Sequence, residues 1–335
     1  MNKRLHDALK RVKILRATVR AMRTAVSEFF DTLGVLRFSR RYVFDDRSKE
    51  SDSVLVVLAG YKPILWEAVF GRIARFVPGD LDVCVVTAGK TVESLRDMCR
   101  EHGWSYLSTR RNNVSLAQNV AIRIHKAARW IYKMDEDIFL TEGVFEKMKA
   151  AYLSAPSQIH ADVGFVSPLI PVNGYGHVQI LRRTGLESAW EARFGALMYT
   201  DGLTAHTSIL SNPEAARFMW GETESQLRGI DALNDLLSHE NGRLSVCPYR
   251  YSVGFILYER SLWEKMEYFY VPATGSGLGL DEEQICYYCL LHAKAMVVFE
   301  DAAVGHFSYG PQTKAMIDYM KSNAEFSDSL KPPRQ

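Results

Sequence analysis

Between residues 53 and 166 the chain alternates between two hydrophobic patterns. Short, nearly continuous apolar runs fall at residues 54–59, 81–87, 104–108, 129–134 and 163–166. Their length and their β-branched and aromatic content are those of buried strands. The intervening segments have helical spacing. One starts near Pro63, a residue suited to a first turn, two more span 91–102 and 115–128, and Thr141 is placed to cap another with Glu142 in its first turn. Strands alternating with helices at these lengths predict a doubly wound, mostly parallel sheet with ligands at the carboxyl ends of its strands. Those ends are Gly60 and Tyr61, Ala88 and Gly89, residues 110–113, and the acids that follow Met134.

On either side the pattern changes. Residues 3–30 read as one amphipathic helix, with Leu5, Leu9, Val12, Leu15, Val19, Met22, Val26 and Phe29 recurring at three- and four-residue steps. Residues 31–52, rich in Arg, Asp and Ser, read as a linker. Past residue 167 the alternation fades into Gly, Pro and aromatic residues. Helices are expected near 213–220 and 227–240, a strand at 252–257, a helix at 281–293, a strand at 295–299 and a last helix at 311–323. The resulting division is a basic helix and linker (1–52), a first half (53–167), a second half (168–323) and a flexible tail (324–335).

Charge sharpens this division. The first 50 residues hold 13 Lys and Arg against 6 Asp and Glu, a net +7; the remainder holds 28 against 33, a net −5, and the two sum to the chain's +2. A mildly acidic body argues against nucleic acid as its partner. The basic helix suits an anionic membrane surface, or else packs on its own domain or in a dimer. No apolar run approaches the roughly 18–20 residues that span a bilayer, and no signal-peptide pattern stands at the N-terminus. Five cysteines in a chain of 335 residues favour a reducing compartment. The expected location is therefore cytoplasmic, peripheral to a membrane if the helix binds lipid. Cys286 and Cys289, a lone C-x-x-C within a helical pattern, read as core.

The chemistry concentrates in residues 129–140. The apolar run containing Lys133 ends abruptly in Asp135, Glu136 and Asp137. Desolvating three acids costs several kcal/mol each, on the order of what a core cannot absorb without cations, so they belong at a strand end facing a cleft. In an extended chain Asp135 and Asp137 share a side and together suit a hard divalent cation that also meets substrate phosphates. The similar Asp80-Leu81-Asp82 follows Pro-Gly and reads as an ordinary turn. A second constellation is the loop of residues 274–280, with three glycines, which feeds Asp281, Glu282 and Glu283. It lacks G-x-G-x-x-G, so a dinucleotide site is disfavoured. A loop that closes over substrate and delivers a carboxylate to take a hydroxyl proton fits better. His306, flanked by Gly305 and Gly310 in a late loop, is a candidate third metal ligand.

These residues resemble the GT-A fold glycosyltransferases, in particular the inverting family 2-like set. Gly277-Leu-Gly-Leu-Asp-Glu-Glu-Gln284 is similar to the acidic loop of the β-1,4-galactosyltransferases, and residues 112–119 resemble the Asn-x-Gly-x-x-x-Ala-Arg-Asn segment under the nucleotide in family 2. The resemblance spans about residues 53–310 and implies a GT-A type α/β fold. It implies Mn²⁺ or Mg²⁺ on Asp135, Asp137 and His306, bridging the diphosphate of a nucleotide sugar, UDP foremost. Ala59, Gly60 and Tyr61 would meet base or ribose, Asp135 and Glu136 the nucleotide sugar, and Arg110, Arg111 or Asn119 ribose or phosphate. The base would be Asp281 or Glu282, and the outcome inversion. Thr87-Ala88-Gly89 departs from the family's uracil-reading Asp; Asn113 stands for its Gly and Gln118 for its Arg. The acceptor, a glycan, polysaccharide or glycolipid, would lie over residues 168–225, where Trp190, Tyr199, His206 and Trp220 offer stacking faces or serve as core. The alternatives are a sugar-phosphate nucleotidyltransferase, for which 59–63 is a thin phosphate loop, and a non-catalytic, membrane-tethered nucleotide-binding scaffold.

Overall fold

The computed structural model describes residues 3–32, 37–200, 207–239 and 242–333. It opens with α1 (Lys3–Thr32) and β1 (Tyr42–Asp45). The first half then runs β2 (Ser53–Ala59), α2 (Trp66–Phe76), β3 (Asp82–Ala88), α3 (Glu93–His102), β4 (Ser105–Thr109), α4 (Val114–Ile124) and β5 (Trp130–Asp135). Next come β6 (Ile138–Phe139), α5 (Val144–Ile159), β7 (Asp162–Leu169), α6 (Gly176–Thr184), α7 (Glu187–Phe194), α8 (Thr207–Ser211), α9 (Pro213–Met219) and α10 (Ile230–Leu237). The chain finishes with β8 (Leu244–Cys247), β9 (Phe255–Glu259), α11 (Arg260–Lys265), α12 (Leu280–Leu291), β10 (Lys294–Ala303), β11 (Gly305–His306), α13 (Thr313–Ser322) and α14 (Ala324–Ser329).

Among the described residues, nine strands form one sheet in the order β1-β4-β3-β2-β5-β9-β7-β10-β8. β4, β3, β2 and β5 are mutually parallel, as are β7 and β10, while β1, β9 and β8 run against their neighbours. The doubly wound, mostly parallel sheet flanked by helices is thus the architecture expected. β2 and β3 are apolar and buried along almost their whole length, the signature of strands covered on both faces. All five cysteines are free and buried, and the Cys286–Cys289 pair packs in the core.

Several local expectations need correction. The supposed linker contains β1, an edge strand whose Tyr42 and Val43 are exposed and so give no buried run. The helix after Thr141 starts at Val144 with Gly143 at its cap; Thr141 instead donates to the carbonyl of Ala303, and Glu146, not Glu142, occupies the first turn. Asp82 is not turn surface: it lies in β3, buried, and accepts the amides of Lys49 and Ser51 at 2.6 and 3.0 Å. The tail expected to fray contains α14, and the buried Arg72 guanidinium binds the carbonyls of Ser329, Leu330 and Lys331.

Candidate active site

The parallel strands β2, β3, β4 and β5 end on one side of the sheet, where a doubly wound fold places its ligand crevice. Glu136 follows β5 at that edge. That carboxylate is buried and accepts three hydrogen bonds, from the amides of Gly60 and Tyr61 at 2.9 and 2.7 Å and from the indole of Trp66 at 2.7 Å. With its oxygens so occupied, Glu136 braces the loop after β2 and offers little to a nucleotide. Gly60 and Tyr61 likewise spend their amides inward. The Tyr61 ring is exposed; its hydroxyl donates to Ala88 O at 2.7 Å, and Lys90 Nζ lies 4.0 Å from its centroid. Gly89 lets the β4–α4 loop come close: at φ +81°, a Cβ there would stand 2.4 Å from Asn112 Cβ.

Ala59, the last residue of β2, is buried and faces the crevice only through its chain neighbours. Arg110 is exposed beside β1, its amide bonded to Arg41 O at 3.1 Å. Arg111 ties the β4–α4 loop to Pro272 O. Asn119 is buried and fully employed: it accepts from the Trp263 indole and the Phe269 amide and donates to the Phe269 carbonyl, all within 3.0 Å. It packs beneath the crevice and does not line it.

Asp135 and Asp137 leave β5 into the crevice, each already beside a lysine. Lys133, almost wholly buried, donates to Asp135 Oδ1 at 2.7 Å and to Val253 O at 2.7 Å. Burial works against its charge, yet Asp135 and then Asp281 outweigh it and raise its pKa. Burial pushes Asp135 up to about 6, with Asp137 and Asp281 adding repulsion and Lys133 opposing. Its side chain is 38% exposed, so water screens part of this effect.

Asp137 is buried and behaves oppositely. Burial disfavours its charge, but His306 and Lys62 overcome that and hold it well below the usual carboxylate range. Lys62 pairs with Asp137 Oδ2, and His306 Nε2 faces the same oxygen at 3.4 Å. His306 reaches this place because β11 pairs antiparallel with β6, setting His306 opposite Ile138, one residue beyond Asp137. The Phe307 amide closes on Asp137 O at 2.9 Å, and the Trp220 indole donates to the carbonyls of His306 and Phe307.

The ring orientation of His306 follows from a carbonyl. Nδ1 lies 2.7 Å from Val172 O, which only accepts, so Nδ1 carries the proton. Nε2 is thereby turned to Asp137 Oδ2, where it can donate to the carboxylate or, with a cation on Asp137, serve as a second ligand. Fixing one imidazole nitrogen on a backbone carbonyl is also how metal-ligating histidines are oriented. The donor set of Asp137 and His306 therefore fits a divalent cation. Asp135 is turned to Lys133, and among the described residues no group of three or more His, Cys, Asp or Glu converges as a metal centre.

The glycine-rich loop reaches the same crevice. Val114 N donates to Ser276 O at 3.1 Å, joining the loop to the start of α4. Gly277 has φ +64°, and a Cβ there would meet the Asn113 amide at 2.7 Å. Asp281 is buried on α12 and accepts from Gln118 Nε2 at 2.7 Å. Glu282 is held differently: Arg250 donates to Oε1 at 2.7 Å, and the Val253 amide lies 3.3 Å from Oε2.

Sequence reasoning missed Lys62, Lys133, Gln118 and Arg250 as partners of the four acids. Only Lys133, the one charge in an apolar run, stood out. Of the proposed stacking residues, Trp190 and Trp220 are core, and Tyr199 stacks on Tyr175 with centroids 5.2 Å apart. His206 lies outside the described residues.

No protein-family model matches the chain, and no curated protein matches it. Among solved structures it is similar to the mannosyltransferase PcManGT from Pyrobaculum calidifontis in complex with GDP-Man and Mn²⁺, at 13% identity over 86% of this chain and 67% of that one, TM-score 0.45. It is also similar to S. aureus TarS 1-349, at 11% identity over 83% and 69%, TM-score 0.40. A third is glucosyl-3-phosphoglycerate synthase from Mycobacterium tuberculosis with Mn²⁺, UDP and glucosyl-3-phosphoglycerate, at 15% identity over 89% of each chain, TM-score 0.37. Likenesses this distant leave the chemistry to be argued from the residues of this chain.

Proposed function

We propose that the chain is a glycosyltransferase that moves a sugar from a nucleotide-diphosphate sugar, UDP-linked foremost, to an acceptor hydroxyl with inversion. The observation that carries this reading is the convergence at one crevice of a buried, ionised Asp137, a His306 ring fixed to face it, and the carboxylates of Asp135 and Asp281. Asp137 and His306, with Asp135, would hold Mn²⁺ or Mg²⁺. That ion, when bound, supplies positive charge against the departing nucleoside diphosphate. Asp281 takes the proton of the acceptor hydroxyl as its oxygen bonds to the anomeric carbon and the bond to the diphosphate breaks. Gln118 orients Asp281, and Glu136 fixes the loop that carries Tyr61 and Lys62. The acceptor, a glycan, polysaccharide or glycolipid, enters from the side of residues 168–225, where Tyr199 is half-buried beside Tyr175.

The test is a thermal-shift panel of UDP-, GDP- and CMP-sugars, each with and without Mn²⁺. A true donor at 100 times its Kd stabilises by about 2.7 kcal/mol, and that shift should need the cation. No shift with any nucleotide, or one indifferent to Mn²⁺, would count against the assignment.

The N-terminal helix supports a second, separate contact. Leu15, Val19, Met22, Val26 and Phe29 are 41–65% exposed along one stripe of α1, beside Arg16, Arg20 and Arg23. Among the described residues no helix is long and apolar enough to cross a membrane. The stripe suits an anionic membrane surface, at about 1 kcal/mol per nearby basic residue. Removing residues 1–30 should abolish sedimentation with phosphatidylglycerol vesicles and leave turnover of a soluble acceptor intact. A full-length chain that dimerises and ignores vesicles would assign the stripe to a second copy.

A further inference from the structure

Lys62 stands where an incoming cation would go. The loop that carries it is anchored: the amides of Gly60 and Tyr61 are bound to Glu136, and Pro63 follows. From this anchored position the side chain, 28% exposed, crosses to Asp137 Oδ2, the same oxygen that His306 Nε2 faces. Asp137 is buried, so its carboxylate needs a counter-charge beside it. An ammonium and a divalent ion cannot share one carboxylate oxygen at contact without strong repulsion.

We propose that Lys62 is a built-in counter-ion of the site, displaced from Asp137 when a divalent cation binds and then free to pair with the donor diphosphate. The inference rests on the glycosyltransferase reading and adds an exchange to it. In the donor-free protein the ammonium supplies Asp137 with its counter-charge. When the divalent ion takes Asp137 and His306, Lys62 keeps its anchored backbone and turns a compact point charge toward phosphate, the role lysine plays at many phosphate sites. No covalent bond changes in the exchange; one cation replaces another at the carboxylate. Lys62 is thus a positioning and donor-binding residue with opposite effects on the two ligands.

The experiment compares the wild-type chain with Lys62→Met and Lys62→Arg, whose folding is checked by thermal melts. Binding of Mn²⁺ alone is followed by the free-ion electron spin resonance signal, and donor binding is measured at saturating Mn²⁺. Losing one charge-assisted hydrogen bond to Asp137 should tighten Mn²⁺ about tenfold to a hundredfold in Lys62→Met. The same variant should bind the donor about tenfold more weakly, and Lys62→Arg should restore donor binding. Mn²⁺ affinity in Lys62→Met equal to or weaker than wild type, with wild type binding the ion, overturns the exchange and leaves the enzyme reading standing. Mn²⁺ binding by neither wild type nor Lys62→Met, with Asp137→Asn and His306→Ala equally inert, overturns both.

Discussion

The two candidate bases can be separated by their partners. Asp281 accepts from a neutral amide, Gln118, through Oδ2, while Glu282 gives Oε1 to the Arg250 guanidinium and Oε2 to the Val253 amide. A carboxylate held by a permanent cation is a poorer proton acceptor than one held by an amide, so the base should be Asp281. Asp281→Asn is isosteric and keeps an oxygen for Gln118, so the fold should survive and donor KM should hold. General-base removal costs kcat about 10²–10⁴-fold, which is about 2.7–5.4 kcal/mol of transition-state stabilisation at 1.36 kcal/mol per tenfold. Glu282→Gln loses an ion pair whose arginine is 49% exposed, a contact worth about 0–1 kcal/mol, so kcat should fall about fivefold at most. Steady-state kinetics with a fixed acceptor, together with single-turnover rates, isolate the chemical step. If Glu282→Gln loses more kcat than Asp281→Asn, the partner argument is wrong and the roles reverse.

Three further outcomes follow from the packing. Arg72 binds Asp231 bidentately and the carbonyls of Leu140, Ser329, Leu330 and Lys331; Arg72→Met should lower unfolding free energy by about 3 kcal/mol, read as a drop in urea midpoint, and an unchanged midpoint would show the tail is not anchored there. Gly277→Ala puts a methyl 2.7 Å from the Asn113 amide at φ +64°; a strain of about 1–2 kcal/mol should swing the Asp281 loop and cut kcat/KM more than it lowers Tm, whereas unaltered kcat/KM would detach the loop from Asn113. Asp135 sits at about 6 in the folded chain against 3.8 for its ordinary value, so its folded-state contribution is full below 3.8 and lost as pH rises through 6. In chelator-treated protein, Asp135→Asn should therefore gain on wild type between pH 4 and pH 8, by about 1–2 kcal/mol after allowing for solvent screening; urea unfolding in which the variant's stability relative to wild type stays level or falls over that range would contradict this.

The half of the molecule that was legible is the half with buried strands. Residues 54–59 and most of 81–87 are apolar because β2 and β3 are covered on both faces, and their short length and β-branched content separate them from a buried helix. β1 was invisible because an edge strand with Tyr42 and Val43 exposed has no buried run to show. β9 was expected near its place, yet its direction was not, since pairing direction leaves no trace in local periodicity; β9 runs against both β5 and β7. In the acid triplet, alternation separated Glu136 from Asp135 and Asp137. It could not reveal that Glu136 faces Gly60, Tyr61 and Trp66, because those partners are at least 70 residues away.

That same distance explains which acids can change partners. Lys133 lies two residues from Asp135 on the same strand, buried and also bonded to Val253 O, so this pair is fixed by the sheet. Lys62 meets Asp137 from 75 positions away, at the end of a side chain that solvent reaches. Arg250 meets Glu282 from a separate loop and is half exposed. Exchange of charge is cheapest where a cation can return to water, since no buried ion is then left unpaired. The inner cation therefore permits the acids to be buried at all, and the outer ones are the positions at which the proposed exchange for a metal ion or a phosphate would leave the sheet beneath undisturbed.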